Sequence, residues 1–166
     1  MGFLLRRTRK AVWVGDGRDR EAAVREFERS ETDTDGLSLF EVETEEQRAM
    51  VVAAVACERR NTSRVDLMEV AREELEAYGP VVRTPDKGTT AVPAANALHC
   101  SLDWDSATLR RLAESLFEQG RAPREYGVQA VRAAVRALDP DILTAEEVRA
   151  FVCVEVRRDR VRGSRP

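Results

Sequence analysis

The stretch RAMVVAAVACERR, residues 48–60, constrains the fold more than any other. It follows Thr44-Glu45-Glu46-Gln47, a capping box in which the Thr44 hydroxyl accepts the Gln47 amide hydrogen while Gln47 reaches back. The helix so opened is apolar almost all round from Ala49 to Cys57. Such a helix is buried on most of its sides, so the other elements must surround it. Asn61, a residue that tolerates left-handed backbone, is expected to end it.

Around that helix the first half alternates strand-like and helix-like segments. AVWV (11–14) reads as a short buried strand ended by GDG, with Asp16 capping a following helix. LSLFEV (37–42), RVDLMEV (64–70) and PVVRT (80–84) read as further strands, the last on an edge because it begins with Pro80. The second half reads as helices: a short one around 94–100, then one carrying Leu109, Leu112, Leu116 and Phe117. A third carries Val128, Val131, Val135 and Leu138. A second capping box at Thr144–Glu147 opens a segment whose end, FVCVEV (151–156), fits helix better than strand. The expected fold is α/β, with α+β as its variant: a sheet of three or four strands in the N-terminal half, packed with helices, and a helical C-terminal half.

Charge suggests the boundaries. Residues 1–10 carry a net +4 and residues 157–166 another +4, so the body carries −11 of the chain's total of −3. The two ends are expected to be basic flexible tails. Residues 11–156 are expected to form one globular unit, an α/β part over 11–92 and a helical part over 93–156. Of 27 cations 25 are arginine, the side chain suited to bidentate contact with carboxylate or phosphate. Three scattered cysteines without a CxxC pair point to a reducing compartment. Three apolar residues before the N-terminal cations do not make a signal peptide, and no window approaches a membrane span. The expectation is a soluble cytoplasmic protein with no membrane partner.

LHCSLDW (98–104) holds the single histidine. His99 and Cys100 are adjacent, so they point in different directions on either a helix or a strand and do not make a catalytic pair. Four scattered Cys and His residues do not make a zinc site, and no metal or cofactor is expected. Asp105 fits an N-cap, with Trp104 and Leu109 at the spacing of a hydrophobic staple. His99 and Asp103 remain weak catalytic candidates, four residues apart on a helix. Gly15–Asp19 could hold phosphate at a helix start, but it lacks the third glycine and carries two acids. The donor-rich helix end with Arg59, Arg60, Asn61 and Arg64, together with Lys87 in the loop 85–93, is the expected anion- or partner-binding set.

With no compact catalytic motif, the first expectation is a protein-interaction or regulatory module without catalytic machinery, its partner another protein. The alternatives are a nucleotide- or phosphate-binding enzyme with its site near Gly15–Asp19 or His99, and a nucleic-acid-associated protein using its arginine-rich tails.

Overall fold

Phe3–Arg7 is the strand on which the fold is assembled, here β1. It lies between β2 (Leu37–Val42) and β3 (Val65–Ala71) and pairs antiparallel with both. The computed structural model describes residues 2–28 and 36–163, with side chains through Arg157. Its sheet has six strands in the order β4-β5-β2-β1-β3-β6, every pair antiparallel, with β4 at Val82–Arg83, β5 at His99–Leu102 and β6 at Arg124–Tyr126.

Both faces of the sheet are covered. Successive side chains of a strand point to opposite faces. Leu4 and Leu5 are accordingly both fully buried in different clusters. Burying such a side chain contributes roughly 1.5–3 kcal/mol. On one face Leu5, Val42, Val65 and Leu67 meet α3 (Glu45–Arg59), which packs on α5 (Pro93–Asn96), α7 (Val128–Arg136) and α8 (Glu146–Gly163). On the other, Leu4, Leu39, Met68 and Leu102 meet α1 (Lys10–Trp13), α2 (Arg20–Arg25) and α6 (Ser106–Glu118), with Leu75 of α4 (Arg72–Glu76). The apolar character of α3 on every side is thereby explained. Val51 through Cys57 are all buried, against the sheet on one side and helices on others.

Several expectations are corrected. The fold is α+β with a six-stranded antiparallel sheet, rather than three or four strands confined to the N-terminal half. The basic N-terminal segment is a central strand, because Arg6 and Arg7 occupy the end of β1 while Leu4 and Leu5 fill the core. AVWV is the short helix α1 and its exit. Trp13 turns inward onto Phe27 and Phe117, at ring-centroid distances of 5.7 and 6.1 Å, and its Nε1 donates to Glu26 at 2.7 Å. Asp19, not Asp16, caps α2 by accepting from Ala22 N. The helix expected around 94–100 stops at Asn96, and β5 begins at His99. The left-handed residue at the end of α3 is Arg60, φ 49°. Asn61 instead accepts from Ser63 N in an Asx turn. Helix α8 begins at Glu146, one residue later than the second capping box implies, and its backbone continues through residues 157–163.

The local signals in α3 and α6 stand. Thr44 Oγ1 accepts from Gln47 N, and Gln47 Oε1 accepts from Thr44 N. Asp105 accepts from Thr108 N at 2.7 Å, and Trp104 and Leu109 share one buried cluster. Trp104 Nε1 donates to Pro80 O. Gly79 lies under that indole so closely that a Cβ there would sit 2.7 Å from Nε1.

Candidate functional site

The sheet register brings three side chains into one row. Leu5 pairs with Phe40, and Phe40 with His99, all on the face beneath α3. Two residues along the same strands, Arg7 and Ser38 continue that face toward the end of the sheet. Val55 and Glu58 from the last turns of α3 stand above, and Thr89 and Thr90 from the β4–α5 connection close the side. Together they enclose a cavity of about 470 Å³, which continues around the sheet end past Thr8, Arg9, Arg25 and Glu26.

His99 is 5% exposed, and its ring is fixed at one nitrogen. Nδ1 lies 3.0 Å from the Thr84 carbonyl oxygen and 2.9 Å from Thr84 Oγ1. A carbonyl oxygen can only accept, so Nδ1 carries the hydrogen in the neutral ring. Thr84 Oγ1 is also 2.8 Å from Ser101 Oγ, and Thr84 N donates to the His99 carbonyl. The Phe40 ring meets the imidazole edge-on at 6.0 Å. Nε2 has no hydrogen-bond partner among the described residues, and it is not sealed from solvent.

Charge in the cavity is uneven: four arginines (Arg6, Arg7, Arg9, Arg25) against two glutamates (Glu26, Glu58). Glu26 is already engaged. It accepts from Arg9 Nε, Arg9 N and Trp13 Nε1, while its carbonyl accepts from Arg6. Glu58 is exposed as a residue, yet burial around its carboxyl pushes it above the ordinary carboxylate range, and the Arg7 charge offsets part of that push. Arg7 and Arg25 donate no hydrogen bond to any described residue, so both guanidinium groups are available. The side wall is braced from behind. Asn96 Nδ2 donates to Thr90 O, Thr90 N donates to Asn96 Oδ1, and Gly88 packs directly on the Asn96 side chain.

The expected sites fare differently. His99 lines the cavity, but Asp103 does not. The two lie along and just past a strand, where four residues span about 13 Å. Cys100 points to the opposite face, near Glu41. Burial and the Glu41 charge push its thiol up to about 11. Burial likewise pushes Cys57 up to about 11, and Cys153 is half-buried on α8. Arg59 donates to Ser63 Oγ and Arg64 O. Arg60 pairs with Glu147, and Arg64 with Asp66 and Glu125. These three cations and Asn61 thus knit the end of α3 to its neighbours, while Lys87 lies apart in the 3-10 turn Pro85–Lys87. At Gly15–Asp19 the acid side chain of Asp19 occupies the start of α2, and Arg18 reaches the Phe117 carbonyl and ring. No group of three or more metal-ligating side chains occurs among the described residues.

Sequence reasoning missed Arg7 and Glu58. Glu58 carried a signal: it falls at i, i+4, i+7 with Val51 and Val55, on a buried stripe of α3. Among the described residues no helix is long and apolar enough to cross a membrane. No protein-family model, curated protein or solved structure matches this chain.

Proposed function

We propose that the protein binds a small anionic molecule in the cavity between α3 and the β1–β2–β5 rows. The observation that carries this reading is the pair of available guanidinium groups, Arg7 and Arg25, in a concave space that also has an apolar floor. Ligand cavities of several hundred Å³ commonly combine apolar walls with a few convergent polar groups. Leu5, Phe40 and Val55 supply the apolar walls; Ser38, Thr89 and His99 supply polar atoms. A guanidinium fork matches the geometry of carboxylate or phosphate. The phosphate-binding alternative is thus retained but relocated from Gly15–Asp19, where an acid already caps the helix.

The interaction-module reading has no comparable carrier. The exposed large apolar residues Val82, Val128, Ile142 and Val154 sit on four separate elements. Scattered apolar side chains of this kind are ordinary on a protein surface.

Calorimetric titration of the full chain with propyl phosphate and with propionate tests the proposal. Saturable binding of at least one is expected, reduced about tenfold or more by Arg7→Gln. Arg64→Gln, whose side chain is held by Asp66 and Glu125, should leave it unchanged. Equal affinity in wild type and Arg7→Gln would move the site elsewhere.

A further inference from the structure

The geometry points to a more specific ligand class: a small anion that carries a hydroxyl, with its anionic group on Arg7 and its hydroxyl donating to His99 Nε2. It rests on the anion-binding reading above and adds the second point of contact.

The Thr84 carbonyl holds the hydrogen of the neutral imidazole on Nδ1, which leaves a lone pair on Nε2. Thr84 is itself held. Its N–H donates to the His99 carbonyl, and its hydroxyl is within 2.8 Å of Ser101 Oγ. The direction of the Nε2 lone pair is therefore set by the protein rather than by the ligand. His99 shares its row with Leu5 and Phe40, and Arg7 lies one row nearer the sheet end. A ligand seated on Arg7 thus lays its carbon skeleton on the half-buried Phe40, above the fully buried Leu5, and brings its far end toward Nε2. Nε2 would lose its solvent hydrogen bond on burial by a purely apolar tail, which costs affinity. A hydroxyl in that place donates and restores the bond. Hydroxy acids and polyol or sugar phosphates share this chemistry, whereas bare phosphate and simple carboxylates do not.

Two matched pairs of probes, each with its hydroxyl at the end away from the anionic group, test it: glycerol 3-phosphate against propyl phosphate, and 3-hydroxypropionate against propionate, titrated into the full chain. The two pairs also separate a phosphate from a carboxylate head. For at least one pair the hydroxylated member should bind about three- to tenfold more tightly, the worth of one net hydrogen bond. His99→Asn keeps an amide donor for the Thr84 carbonyl but removes the Nε2 acceptor. It should bring that ratio to about one without weakening the unhydroxylated probe. His99→Gln, whose amide reaches further, should restore part of the ratio. Equal affinity within both pairs for wild type overturns the hydroxyl contact while leaving the anion site intact. A ratio unchanged by His99→Asn has the same consequence. Failure of all four probes to bind overturns both readings together. The wild-type comparison needs no variant to fold.

Discussion

At the scale of single residues, Glu58 offers a direct probe of the cavity. Its carboxyl is raised by burial, against the pull of Arg7. A carboxyl raised in the folded state favours folding most when it is protonated. Its contribution is thus present below the ordinary carboxylate range and is lost as pH rises through the raised value. Glu58→Gln removes that titration. Relative to wild type, the variant should gain stability as pH climbs from about 4 to about 7. Urea denaturation at several pH values measures it, and a constant difference across that range would contradict the assigned environment. Adjacent-residue geometry is legible in the sequence alone. His99 and Cys100 do face opposite sides, and Asp105 with Trp104 does start a helix. The meeting of Arg7, Glu58 and His99 is not, because they come from β1, α3 and β5 and are gathered only by strand register.

At the scale of elements, the contrast between two similar sequences is instructive. Thr44–Gln47 forms a reciprocal capping box, and the long helix α3 depends on it to satisfy its first amides. Thr44→Ala should therefore destabilise the fold by about 1 kcal/mol, read by urea or thermal denaturation. Thr144–Glu147 has the same spacing, but α8 starts a residue late and Glu147 instead pairs with Arg60. The Thr144 amide donates to Ala91 across the fold, so a tertiary contact has displaced the local one. Long periodic segments such as α3 and α6 were legible because packing repeats over several turns. The strands β5 and β6, four and three residues long, were not. In HCSL two of four buried positions are polar, and in REY two of three residues are charged. Neither window is long enough for an apolar period to show.

For the molecule as a whole, the N-terminus departs furthest from what its charge suggests, and its place in the sheet changes what an experiment there would mean. Four cations in the first ten residues suggest a basic flexible tail. In the fold, three of those cations serve the body. Arg6 donates to the Glu26 and Ser38 carbonyls, Arg9 pairs with Glu26, and Lys10 pairs with Glu125. The apolar residues before them supply one core residue to each face of the sheet. Removing residues 2–9 would strip β1 from between β2 and β3, leaving two newly unpaired strand edges and two vacated core positions. Each lost leucine alone costs about 2–5 kcal/mol, so the pair approaches the entire stability of a typical domain. The truncated chain should lose its cooperative thermal transition in circular dichroism. A stable, cooperatively folding product would show that β1 is not the organising strand. Neutralising the exposed cations in place, for instance with Arg9→Gln, keeps the strand. That is consequently the way to ask whether the basic N-terminus contributes to any charge-dependent binding, since loss of binding on truncation would report unfolding instead.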